Sequence, residues 1–146
     1  MITGWALLRF AHVILAVLWV GGQLTFSLVL IPLIRRRLRP ELAAGIRSTF
    51  GKMFGIFTLG FFLPVQAVTG YFLAAHHGVT WSSLLEPGYG RTLTAKLAVF
   101  LLVLLISGLH GYLHGSGRTI AARSLAIASL FGSVVIVLLA TALASF

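Results

Sequence analysis

Several ionisable and imidazole side chains stand inside long apolar runs of this chain, spaced so that they share helix faces. Arg9, His12, Ala16, Trp19, Gln23 and Ser27 recur at steps of three and four, which makes one polar stripe. Lys96, Phe100, Val103, Ser107, His110 and His114 form a second stripe, and Gln66, Thr69, Leu73 and His76 a third. The chemistry open to such a set is that of imidazole, which ligates haem iron and also suits copper and zinc. Cations nearby pair with propionates or other anions. The chain has no cysteine, which excludes thiolate metal sites, disulfides and cysteine nucleophiles together. Its two acids, Glu41 and Glu86, both fall in connections. No carboxylate pair, nucleophilic triad or acid-lined ion path can be built from them.

An ionisable group inside a bilayer costs at least about 2.5 to 3.5 kcal/mol on insertion scales, so each calls for a partner or a purpose. Counted at about 1.5 Å per residue from the outer surface, His12 and Lys96 both lie roughly 6 to 10 Å deep. His76, His77 and Arg91 fall at that same rim. His110 lies about 21 Å beyond Lys96 along its helix, and His114 is at the far edge. His12 and His110 therefore cannot share one metal ion. An outer site draws on His12, Lys96 and His76 or His77; an inner one draws on His110 and His114, at i and i+4. Each residue also has a plainer role. His12 can be a buried histidine hydrogen-bonded to Gln66 or Thr69, and Arg9 and Lys96 can snorkel to headgroups. His76, His77 and His114 can be solvated or interfacial.

The elements that carry these residues follow from composition. Of 146 residues, 59% are hydrophobic and 9% charged, and mean hydropathy is +1.06. A soluble domain carries roughly 25% charged residues, so water is not the main solvent. Four apolar stretches reach the roughly 20 residues that a bilayer core requires: about 5–34, 53–75, 92–113 and 125–146. No strand-like alternation occurs, which excludes a β-barrel. The first stretch is too long for a signal-peptide core and ends in Arg35, Arg36 and Arg37, so it reads as a helix that stays. Pro32 and Pro64 predict bends. The fold expected is an all-α integral membrane protein, one domain of four helices in an up-and-down bundle.

The net charge of +9 is concentrated in connections. The first holds Arg35, Arg36, Arg37, Arg39, Arg47 and Lys52 against Glu41, and the third holds Arg118 and Arg123. By the positive-inside rule these connections are cytoplasmic in an inner membrane, and both termini are extracytoplasmic. With no polar framework to carry a basic patch, nucleic-acid binding is excluded. Copper(I) relay prefers thiolate or thioether ligands. Here only Met1 and Met53 could supply thioether. Copper(II) on His12, His76 and His77 stays open.

The segments RFAHVILAVLWVGGQLTFSLVLIPLIRRR and PGYGRTLTAKLAVFLLVLLISGLHGYLHG carry a resemblance. The first is similar to the histidine-bearing helix of CopD-type copper-resistance membrane proteins and HemJ-type membrane protoporphyrinogen oxidases. The second is similar to the CopD pattern of a Tyr-Gly-Arg turn before a helix with an early lysine, and also to the HemJ lysine helix. Thr69-Gly70 fits both, while length and helix number look more like the HemJ type. The HemJ resemblance implies haem b held through His12 and Lys96, and an oxidoreductase. A tryptophan and an arginine expected of that type are missing beside "YGRTLTAK" and "GGQLTFSLVL". The CopD resemblance implies copper uptake across the inner membrane. The resulting expectation is haem-b binding for electron transfer or porphyrin handling, with His12 as axial ligand. Lys96 is a second ligand or a propionate partner; Arg9 and Arg91 are further cations, and Trp19 is a wall. A quinol, a porphyrin or a redox protein is the partner, besides the lipid bilayer and a second copy in a homodimer. Copper on His12, His76, His77, His110 and His114 is the alternative, and a cofactor-free membrane subunit the third.

Overall fold

The computed structural model describes residues 3–115 and 119–146. Met1 and Arg118, named above, lie outside the described residues. All regular structure among the described residues is helical. Four helices are long and apolar enough to cross a membrane: α1 (Gly4–Arg37), α2 (Pro40–His76), α3 (Tyr89–His114) and α4 (Ile120–Leu143). The chain is a multi-pass membrane protein by this measure. Large apolar side chains such as Leu18, Val29, Ile56, Leu59, Leu105 and Phe131 are exposed, as expected where lipid is the solvent.

The helices begin before the apolar stretches that mark them in the sequence, and α1 to α3 also run past their ends, whereas α4 stops at Leu143, short of the expected 146. α2 begins at Pro40 rather than near Met53. Pro40 sits in the first turn, where its missing N–H costs nothing, and Glu41 faces the positive end of the helix dipole. Hydropathy marks where hydrocarbon ends, and backbone hydrogen bonding carries the helix further. The first connection shrinks to Leu38 and Arg39.

By backbone contacts the chain forms two compact units, Met1–His77 and Gly78–Phe146. In the first, α1 and α2 pack antiparallel along a seam of paired rings and hydroxyls. Trp5 stacks on His76 at 3.9 Å, Trp19 on Phe62 at 4.8 Å, and Phe26 on Phe50 at 3.6 Å. Both prolines act through a wider turn ahead of them. The stretches Phe26–Leu30 and Thr58–Phe62 are π-helical, each opening six residues before its proline. Ile31 N–H reaches back to Phe26 O, and Leu63 N–H to Thr58 O. A proline ring collides with the carbonyl four residues back, and a π turn moves that carbonyl aside without breaking the helix.

In the second unit, α3 and α4 also run antiparallel. Gly132 lets α4 close on α3, since a Cβ there would overlap Val103 Cγ2. Ser107 and Ser129 exchange a hydrogen bond at 2.7 Å, and Ser133, fully buried, donates to Ser129 O at 2.9 Å. The α4 serines thus serve packing in this seam. A turn from Thr80 to Leu85 precedes α3, and Thr94 Oγ1 ties the helix to it by donating to Leu84 O at 2.7 Å.

Candidate functional site

The best-built polar constellation is the seat of His12 in the α1–α2 seam. Thr69 Oγ1 donates to Val65 O at 2.6 Å, the back-bond of a threonine inside a helix. A carbonyl cannot return a proton, so the single hydroxyl hydrogen lies on that contact. His12 Nδ1, 2.7 Å from the same oxygen, is therefore the donor. The hydrogen bond sets the tautomer: Nδ1 carries the proton and Nε2 is the basic nitrogen of the neutral ring. Thr69 is only 5% exposed, so this bond forms in a dry seam. Gly70 completes the seat. A Cβ at that position would stand 3.2 Å from His12 Cε1, so the missing side chain is the space the ring occupies. Of the two partners foreseen for His12, the structure shows the bond to Thr69. Gln66, one turn away on the same face, keeps its Oε1 buried with no hydrogen-bond partner among the described residues.

The same chemistry recurs two turns along α1. Trp19 Nε1 donates to Thr58 Oγ1 at 3.0 Å, and Thr58 passes its own proton to Phe54 O at 2.8 Å. Trp19 is 2% exposed and stacked on Phe62, so this ring is held as part of the interhelical core. Thr58 was not singled out in the sequence. Its signal would be a threonine in an apolar run, able to satisfy itself on the i−4 carbonyl while offering a lone pair sideways.

Near the N-terminal end of α1 a shallow cleft of about 490 Å³ is lined by Trp5, Arg9, Phe10, Val13, Leu73 and His76. That volume falls within the range of about 300 to 1,000 Å³ usual for small-molecule sites. Arg9 is exposed there. His76 lies flat on Trp5, and His77 Nδ1 turns back to donate to Leu73 O at 2.8 Å, capping the end of α2. The seam pairs His12 with Thr69 and Trp5 with His76, so the two histidines stand two turns, about 10 Å, apart rather than at one rim. Among the described residues, no three His, Asp or Glu side chains gather as a metal site would.

In the second unit Lys96 is partly buried on α3, and Arg91 is exposed in its first turn. His110 Nδ1 donates to Ala122 O at 2.7 Å, tying the end of α3 to the start of α4. His114 is exposed, its ring centroid 6.1 Å from that of His110.

Comparisons with known proteins add one relative. No family model matches the chain, and no solved structure matches it. The chain is similar to an uncharacterized protein of Aquifex aeolicus (strain VF5), 35% identical over 104 residues that cover 71% of this chain. The match spans 66% of that protein, a little under two thirds of its length.

Proposed function

We propose that this protein binds haem b in the membrane through His12 and serves electron transfer or porphyrin handling. One observation carries the reading: the imidazole is pinned by its Nδ1–H on Thr69, the arrangement in which Nε2 is the nitrogen that would ligate iron. Metal-bound histidines characteristically donate their other ring N–H to a fixed acceptor, which orients the ring and raises its basicity. Haem brings four nitrogens of its own, so one protein imidazole suffices to hold the iron. A bare copper ion needs several converging side chains, and His12 and His76 stand about 10 Å apart along the seam. The geometry thus favours haem over copper. Arg9, one turn from His12 on the same helix, is the propionate partner. Bound haem would supply one-electron chemistry; the chain's part is to orient the ring and exclude water. The likeness of the His12 helix to the HemJ type supports the same reading.

The orientation belongs to this proposal. Arg35, Arg36, Arg37, Arg39, Arg47 and Lys52 cluster at one end of the first unit, which by the positive-inside rule supports a cytoplasmic position for that end and an extracytoplasmic N-terminus. The test is the absorption spectrum of protein purified from cells supplied with haem precursor. A Soret band is expected, lost in His12→Ala and kept in His76→Ala. A colourless protein, or a band indifferent to His12, refutes the reading.

A further inference from the structure

Four contacts set the register of the first unit: Trp5 on His76, His12 on Thr69, Trp19 on Thr58 and Phe26 on Phe50. Continued by three residues on each helix, that register puts Arg47 of α2 level with Val29 and Leu30 of α1. Arg47 lies between Ala43, 3% exposed, and Phe50, so its stem runs along the seam. Its Nε is buried and has no hydrogen-bond partner among the described residues. Glu41 is the unit's one carboxylate, exposed in the first turn of α2. Among the described residues no anion answers that nitrogen.

Depth identifies the anion. Tryptophan favours the membrane interface, and from Trp5 to Val29 the helix rises about 36 Å. The hydrocarbon core is about 30 Å thick and the bilayer with headgroups about 40 to 45 Å, so Arg47 falls in the opposite headgroup layer. Beside it α1 exposes Val29, Leu30 and Leu33, with relative exposures of 58, 38 and 51%. A cation fixed at phosphate depth next to an apolar wall fits a lipid, whose phosphate and acyl chain are joined. A soluble acidic partner would meet the arginines further out instead. Those are Arg35, Arg36, Arg37 and Arg39, all exposed.

We propose that the α1–α2 seam at Arg47 is a binding site for an anionic phospholipid, with the phosphate on the guanidinium and an acyl chain along Val29, Leu30 and Leu33. The exposed arginines beyond it enrich such lipids near the site. This site stands apart from the His12 seat and does not depend on haem.

The experiment embeds the full-length protein in nanodiscs of phosphatidylcholine, alone or mixed with phosphatidylglycerol, and counts retained lipids by native mass spectrometry after release. Retention of phosphatidylglycerol over phosphatidylcholine is expected, reduced about tenfold in Arg47→Gln, the scale of one charge-assisted contact. Arg36→Gln, at the exposed fringe, loses less than Arg47→Gln. Arg47→Lys keeps charge and stem and falls between wild type and Arg47→Gln, an order that a merely structural arginine does not produce. This variant also carries the test if Arg47→Gln fails to fold, as judged by far-UV helicity and elution. Equal retention of the two lipids overturns the proposal, as does an equal effect at positions 36 and 47. Release of the lipid by inorganic phosphate, where chloride at equal ionic strength has no effect, reassigns the site to free phosphate and overturns it too.

Discussion

Thr69→Val isolates the hydrogen bond on which the His12 seat depends. Valine keeps the volume and branching of threonine, so the seam stays filled while the acceptor for His12 Nδ1 disappears. The bond lost is short, 2.7 Å, and its acceptor sits on a residue 5% exposed. Interhelical hydrogen bonds in membrane proteins average about 0.6 kcal/mol, with a maximum near 1.7. An N–H left without a partner in a dry seam costs about 1 to 3 kcal/mol. Because the ring can move its proton to Nε2 and so avoid part of that penalty, the low end of the range applies. We expect Thr69→Val to destabilise the protein by about 1 to 2 kcal/mol. A double-mutant cycle with His12→Leu is expected to give a coupling of about 1 kcal/mol. The cycle also removes the contribution of the Thr69–Val65 back-bond, since valine lacks it whether residue 12 is histidine or leucine. The assay is unfolding of the purified protein in mixed micelles by titrated dodecyl sulfate, followed by far-UV circular dichroism. A coupling below about 0.3 kcal/mol, within the scatter of additive mutations, refutes the reasoning. On the haem reading the same variant also loses haem more readily, by about 10- to 100-fold in affinity, which a haem-transfer titration measures.

Two further substitutions, with a third as control, test the close approaches that organise each unit. Gly70→Val pushes against a ring already 3.2 Å from where a Cβ would lie, so it is expected to cost about 1 to 3 kcal/mol in the same unfolding assay. Gly132→Val drives α4 off Val103 and carries a similar cost of about 1 to 3 kcal/mol, whereas Gly108→Ala meets nothing within 4 Å and leaves the midpoint unchanged or raised.

Periodicity and hydropathy were enough to place four membrane helices and to find the stripe that holds His12, because both depend on residue type along the chain. They also put Thr69 on the face that meets His12, since positions three and four apart share a side of any helix. The limits of α2 escaped them. Pro40 and Glu41 open a helix in a stretch whose charges read as a loop, because solvation and backbone hydrogen bonding end at different residues. Nor do the prolines alone predict the π turns at Phe26 and Thr58, which answer a steric conflict with carbonyls further back.

What the sequence by itself determined is the inventory: apolar helices, no thiols, two peripheral acids, and histidines and cations on shared faces. Tertiary structure alone decided which partner each polar group takes. It matched His12 to Thr69, bound Trp19 to Thr58, set His76 two turns from His12, and laid Arg47 in the seam. Those choices depend on the register of two helices against each other. Register is fixed by ring stacking and by glycines such as Gly70, where the absence of a side chain matters only once a neighbour fills the space.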